Sequence, residues 1–495
     1  MRRMKGAAGL LTALLLAFQL SAQTFALANE DNGIKVVPVN FTHNGYSYEI
    51  EGVAKSTDGD YQIKSPARLA ARKLPSTYDP RSSGEITTVK DQASTGACWA
   101  FSALACAEQD LIKKGLENPS AEFSVPALVL SSNSGTATGK DDFSSGGNWL
   151  FAASALANGQ GLCYEDYEPF LGSGTENMIV FENKKNVSEY RLNYVMELSS
   201  TTQVKRKIME LGAVSASYFA GNGYMNHNNT AYYDPDASKN TIINHSVTVV
   251  GWDDNYSKDN FRYKPANNGA WLVKGSWGAD QDNDGFYWVS YDEAEFGQFC
   301  CYDFEESCDN TYHYSKMTGY VVNASNDGSV YGANVFTAKA DEKLDKAGFM
   351  YVGKTGSADY TLSVYTSVSD SDPIGVLETQ ISGSVSANGF YTVDFPEDIL
   401  LEEGEKYSIS VKFSGDSGRG YLLAESDRTS KAQSGQSYIS LNGKYWSDVG
   451  ADKTDSIGSL FIYAYTDDTA KPDKSSLETT LAKYGTLAGC EREAN

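Results

Sequence analysis

The chain has 495 residues, 41% hydrophobic and 12% aromatic, which is room for two or three domains with sizeable cores and excludes global disorder. Its formal charge is −23, and a surface that acidic repels phosphate backbones, so nucleic acid is excluded as a partner. Tyr (32) and Gly (45) are abundant while Pro (12) is scarce, a mix suited to strands and tight turns rather than a helical bundle.

Residues 1–28 read as a secretory signal peptide. Arg2, Arg3 and Lys5 precede an apolar run from Leu10 to Phe18, and Ala26-Leu27-Ala28 supplies the small-residue cleavage site. The run is shorter than the ~20 apolar residues a membrane span needs, and no later stretch qualifies. The expected location is therefore secreted and extracellular, with no transmembrane span. Loss of those three basic residues takes the charge to −26. Residues 29–73 are polar and weakly patterned, an N-terminal extension or short pro-segment in which Arg72-Lys73 offers a trypsin-like processing site.

Residues 74–308 mix helix and strand signals. From Cys98, apolar residues at 100, 103, 104, 107 and 111 predict a helix that Gly115 stops, and a second helix is predicted over Thr202 to Leu211. Strand-like runs follow at Ala213–Phe219, Ser246–Gly251, Ala270–Val273 and Phe286–Tyr291, which together predict an α+β domain with two lobes. Residues 309–468 are almost purely β. Tyr391–Phe395 and Tyr407–Phe413 alternate apolar and polar, and Asn442-Gly443 predicts a two-residue hairpin turn between Ser437–Leu441 and Lys444–Trp446. These short strands argue for a β-sandwich. A polar tail, 469–495, carries the capping box Ser475-Ser476-Leu477-Glu478 of one short helix.

Seven cysteines, at 98, 106, 163, 300, 301, 308 and 490, are too few for a disulfide-dense secreted scaffold, and the odd count leaves at least one thiol unpaired within a monomer. A bridge from Cys300-Cys301 to Cys308 is one option, and the connectivity stays open. With no C-x-x-C and only four His, no metal site is expected. Asp280–Gly285 imitates the start of an EF-hand loop, but position twelve is Tyr291 instead of Glu and the flanks are strands, which argues against calcium.

Two segments carry chemistry. In Asp91-Gln92-Ala93-Ser94-Thr95-Gly96-Ala97-Cys98-Trp99, Cys98 stands at the first turn of its helix, where the dipole and free N–H groups favour a thiolate. The blander reading, a buried structural thiol, suits Cys106, which lies two turns on amid Ala and Leu. In Asn244-His245-Ser246-Val247-Thr248, His245 leads a strand and can face a cleft between lobes. A lone His there is more often structural. Paired with a thiol, it becomes a base and then an acid.

These segments resemble the papain-type cysteine peptidases, whose Cys and His are separated by ~130–150 residues; here they are 147 apart. Further matches appear in the family's order. Leu74-Pro75-Ser76-Thr77-Tyr78-Asp79 resembles the mature start and Gly146-Gly147 the substrate-binding glycine pair. Gly212–Ser215 resembles the strand beside the specificity pocket, and Trp271–Gly278, with Trp277 on the substrate side, the segment of the third catalytic residue. The resemblance implies a two-lobed peptidase with a helical lobe and a β-barrel-like lobe, working without a cofactor. Cys98 would be the nucleophile, His245 the acid/base, and Gln92 the oxyanion-hole carboxamide.

The match has departures. The Asn that orients the imidazole in the family is Gly275 here, and the Trp expected to shield that contact is Gln281, so both parts of the device are expected to be missing, with water or the Gln281 amide as substitute. Thr95 and Ser144 replace a usual disulfide pair. Residues from about 310 resemble a lectin-like domain of secreted bacterial proteins, which implies a glycan or surface ligand and makes Trp446 the first aromatic to consider. The sequence thus reads as a secreted papain-like cysteine peptidase acting on peptides or proteins. The alternative is a catalytically weak or inactive papain-fold binding protein, because of Gly275.

Overall fold

The computed structural model of the chain describes residues 73–132, 143, 146–159, 162–167, 169–170, 189–221, 223–236, 243–279, 284–315, 321–369, 372–426, 432–451 and 457–469, with the backbone of 35–38, 42–43 and 46–47. The expected signal peptide, the helix at Ser475, Ser144 and most of the EF-hand-like loop, Gln281 included, lie outside the described residues. So does Cys490.

The N-terminal strands β1 (Lys35–Pro38), β2 (Thr42–His43) and β3 (Tyr46–Ser47) precede β4 (Thr77–Tyr78). Helix α1 (Cys98–Lys114) ends where Gly115 takes φ 72° and donates to the Leu111 and Ile112 carbonyls, as its sequence predicts. Every residue from Cys98 to Leu111 is buried, because α1 has neighbours on both sides. On one side lie α2 (Val125–Ser132) and α3 (Trp149–Ala157), the latter capped by Asn148, whose side chain accepts from Leu150 and Phe151 N–H. On the other lies the sheet.

That sheet collects β5 (Tyr190–Leu198), then, after α4 (Thr201–Leu211), β6 (Val214–Tyr218), β7 (Ala231–Tyr232), β8 (His245–Asp253), β9 (Ala270–Lys274), β10 (Phe286–Ser290) and β11 (Gly297–Glu306). The all-β region follows: β12 (Asn310–Tyr312), β13 (Val321–Thr337), β14 (Glu342–Tyr351), β15 (Ala358–Thr366), β16 (Val376–Val385), β17 (Gly389–Leu401), β18 (Lys406–Ser426), β19 (Ser437–Ser440), β20 (Ser447–Asp448), β21 (Ile457–Leu460) and β22 (Ile462–Asp468). One sheet runs β16-β15-β18-β13-β19-β20, with β1 added on β13 and β21 on β18. Its inner face packs on β14, β17 and β22 through Phe349, Tyr351, Tyr407, Ile409, Val411 and Phe413, all buried in one core. The fold class is the expected one, a papain-like α+β unit followed by an all-β sandwich.

The sandwich is not a separate bead. Its second sheet continues into the first half of the chain in the order β12-β22-β14-β17-β5-β11-β6-β8-β9-β10-β7. The seam pairs Gly389 with Met196, Phe390 with Val195 and Tyr391 with Tyr194. A Cβ on Gly389 would sit 2.1 Å from the Val195 carbonyl oxygen, so only glycine permits this approach. Glu197 closes the seam from the side, accepting from Trp149 Nε1 (2.9 Å) and Asn388 Nδ2 (3.1 Å).

Two local expectations are corrected. Asn442-Gly443 does not make a two-residue hairpin, because β19 pairs with β20 as Tyr438 to Asp448 and the turn spans 441–446. The Asn442 side chain accepts from Lys444 and Tyr445 N–H, a local Asx bond that outcompetes the tight turn. Nor are Cys300, Cys301 and Cys308 bridged: all three are free thiols. Cys300 and Cys301 are adjacent on β11 and point to opposite faces, one into each of the two main cores.

Candidate active site

Cys98 is the first residue of α1, and Ala97 before it offers no side-chain cap, so no capping side chain competes with the sulfur for the first turn's N–H groups. The thiol is hydrogen-bonded by the backbone and side chain of Ser246 and by the Trp99 N–H. Burial outweighs these bonds and pushes the thiol up, against the thiolate expected at a helix N-terminus. Cys106 is fully buried in the core of the helical lobe, as its surroundings in the sequence imply.

Strand β8 opens at His245, beside Ser246, and is fastened to α1 one turn along. Ser102 Oγ donates to the Val247 carbonyl (2.7 Å) and Thr248 Oγ1 to Ser102 Oγ (3.3 Å). This lateral lock sets Cys98 against Ser246 across the lobe boundary, with His245 the preceding residue of β8.

Gln92 is held by the segment that follows β9. Its N–H donates to the Ser276 carbonyl (2.8 Å), Ser276 Oγ donates to Gln92 Oε1 (2.5 Å), and Gln92 Nε2 donates to the Thr95 carbonyl (2.8 Å). The amide is thus held at its oxygen end, and one of its two N–H groups stays available for an incoming oxyanion. Ser276, missed in the sequence reading, is what aims it.

The imidazole of His245 lies flat against Trp277, with centroids 4.5 Å apart and planes 7° from parallel, and Tyr218 meets it edge-on at 5.9 Å. This corrects the expectation that the shielding indole is lost with Gln281: Trp277 itself covers the ring, and Gln281 lies outside the described residues. The loss at Gly275 is felt there, since His245 Nε2 is buried with no hydrogen-bond partner among the described residues. Trp277 is 41% exposed, so part of the indole that covers the imidazole is open to solvent.

Burial alone lowers the His245 pKa from 6.5 to about 4. Between those values the unfolded chain binds a proton that the folded chain refuses, so stability is lost as pH falls through this window. The loss from pH 6.5 to 4.5 is about 2 kcal/mol. Urea unfolding at both pH values is expected to show that extra loss in the wild type relative to His245→Gln; equal losses would mean a solvated imidazole.

Gly146 and Gly147 sit at the start of α3. A Cβ on Gly147 would lie 2.5 Å from the Trp99 indole, so the glycine lets this segment close on the first turn of α1. Beneath the site, Lys90, Glu108 and Lys274 form a buried charge cluster around Thr87. A cavity of about 20 Å³ lies there, lined by Ser102, Glu108, Ser246, Thr248, Lys274 and Gly275 among others. Among the described residues no group of His, Cys, Asp and Glu is arranged to hold a metal.

Two family models match the chain: papain family cysteine protease over residues 74–326 and lectin-like domain over 311–466. Mouse (Mus musculus) cathepsin K is 24% identical over 216 residues, 43% of this chain and 59% of that protein. Human (Homo sapiens) cathepsin L2 is 25% identical over 224 residues, 44% and 62%. The chain therefore spans about three-fifths of the length of these curated relatives. Among solved structures, the clostridial cysteine protease Cwp84 after propeptide cleavage superimposes with a TM-score of 0.67 at 27% identity, over 79% of this chain and 99% of that one. The cysteine protease and lectin-like domains of Cwp84, a surface layer associated protein of Clostridium difficile, match at 0.67 and 26%, over 86% and 92%.

Proposed function

Because the chain belongs to the papain family of cysteine proteases, we propose that it hydrolyses peptide bonds outside the cell through Cys98 and His245. The observation that supports this is Cys98 at the head of α1 bonded to Ser246, the residue next to His245, with Gln92 braced by Ser276 from the segment after β9. Burial favours the neutral thiol–imidazole pair in the resting protein, so His245 acts first as base, taking the Cys98 proton as sulfur attacks the substrate carbonyl. The Cys98 N–H and Gln92 Nε2 stabilise the oxyanion. His245 then protonates the leaving amine, and a water it deprotonates releases the acyl group.

The test is stoichiometric labelling of the full chain by an epoxysuccinyl affinity reagent, with mass spectrometry locating the adduct. An adduct on Cys98, absent from His245→Ala, supports the peptidase. A folded, reduced protein that takes no label favours the alternative, a papain-fold binding protein. That second reading draws its support from the unpartnered Nε2 and Gly275.

The lectin-like half would hold the enzyme on a glycan or surface, as suggested by the surface-layer association of Cwp84. Trp446 is poorly placed for it, because it packs on Ala333, Val335 and Tyr438. Its neighbour Tyr445 is 68% exposed at the tip of the 441–446 turn and is the better stacking platform. Tyr445→Ala in the full chain is expected to lower glycan-array binding about tenfold, and unchanged binding would remove this turn from the ligand site.

A further inference from the structure

The third catalytic position of the family is vacated at Gly275, yet the space is not empty. A Cβ on Gly275 would lie 3.3 Å from Tyr287 Cε1 and 3.2 Å from the Gly285 carbonyl oxygen, so the Tyr287 ring crowds the path a side chain from 275 would take. Tyr287 is buried. Two of its contacts lead to His245. Its ring lies parallel to Trp277, 6.3 Å away and 11° from coplanar, and its hydroxyl is 2.9 Å from that of Tyr218. Trp277 and Tyr218 are the rings that cover the face and the edge of the imidazole.

We propose that Tyr287 is the positioning residue of His245, bracing Trp277 and Tyr218 around the imidazole in place of the amide lost at Gly275. The proposal deepens the peptidase reading and rests on it for its catalytic meaning. An amide fixes an imidazole by one directional hydrogen bond. Here ring packing fixes the plane instead: rotating a ring out of a stack with near-parallel planes forfeits dispersion and quadrupole contacts over its whole face. The hydroxyl pair between Tyr287 and Tyr218 keeps the edge contact in register and satisfies two buried O–H groups at once. The two positions also share one space: a side chain at 275 would press on the Tyr287 ring, so an amide restored alone would be overpacked.

The experiment uses the full chain with Tyr287→Phe, Tyr287→Ile, Gly275→Asn and the double variant Gly275→Asn/Tyr287→Ile. Two readouts are taken: the rate of Cys98 labelling across pH, and the His245 Cε1–H resonance, assigned by its absence in His245→Ala. In the wild type that proton is expected to be shifted upfield by the Trp277 ring current. Tyr287→Ile is expected to lose much of that shift and to label ~10- to 100-fold more slowly, the cost of a misplaced acid/base. Tyr287→Phe keeps the ring and is expected to lose a smaller part of both. Gly275→Asn alone is expected to slow labelling, and the double variant to recover most of the Tyr287→Ile loss.

A folded Tyr287→Ile with wild-type shift and labelling rate would overturn the proposal, as would a double variant no faster than Tyr287→Ile. Should Tyr287→Ile fail to fold, Tyr287→Phe and the double variant decide by the same readouts, and an unchanged His245 resonance in both overturns it. If wild-type Cys98 takes no label at all, the peptidase reading fails by itself, while the resonance still decides whether Tyr287 sets the imidazole.

Discussion

Cys98→Ala is expected to abolish affinity labelling at this position and to lower peptide hydrolysis by at least ~10⁴-fold. The substitution trades a small buried side chain for a smaller one at the first turn of α1, where alanine is a good helix former, so the fold should survive it. His245→Ala should fall to a similar floor, and the double variant no further. Thiol and imidazole act as one unit, and removing either leaves only the oxyanion donors and substrate binding. Steady-state assays on a peptide library with the three purified proteins measure this. Hydrolysis undiminished in Cys98→Ala would assign the activity to another group and sink the mechanism.

A second large effect is expected on stability. Glu108 is almost fully buried on α1 and serves four partners: it accepts from Thr87 Oγ1 (2.7 Å) and Phe123 N–H (3.2 Å), and it faces Lys90 (3.3 Å) and Lys274 (3.9 Å). Lys274 donates to Thr87 Oγ1 (2.6 Å), and its pKa is held down by burial, so its charge depends on Glu108. Glu108→Ala would strand that cation and is expected to cost ~3–5 kcal/mol in urea unfolding. The paired change Glu108→Leu/Lys274→Met should cost much less, since it removes both charges. A loss below ~1 kcal/mol in Glu108→Ala would show that the cluster is solvated. Because Lys274 directly precedes Gly275 and Lys90 lies two residues before Gln92, this cluster also sets the floor on which the site is built.

The parts of the site that could be read in the sequence are those with a local signature. The helix from Cys98 announces itself by apolar spacing and by Gly115, and the strand from His245 by an apolar run after Asn244. Helices α2 and α3 have no comparable signature, because they are buried almost all round and so lack a polar stripe. Strands β5 and β11 were equally invisible: their role is to bridge halves of the chain whose partners lie far away in sequence. The loss at Gly275 is a one-letter change and was legible. What compensates for it was not, because Tyr218, Trp277 and Tyr287 come from β6, the segment after β9, and β10, and nothing in their spacing says that three rings converge. The shielding indole was misplaced for a related reason. The spacing of Trp277 in its motif points to the substrate side and says nothing of its stack on His245.

The seam at Gly389 has a consequence for how the molecule comes apart. Strand β17 is hydrogen-bonded to β5, β5 to β11, and β11 to β6, the strand that carries Tyr218. Fraying at the lectin-like end therefore opens a ladder that ends against the imidazole, and heat should melt both halves in one calorimetric transition rather than two. Severing the chain between them would bare the β5 backbone at Tyr194, Val195 and Met196, so each half alone is expected to be less stable than within the full chain.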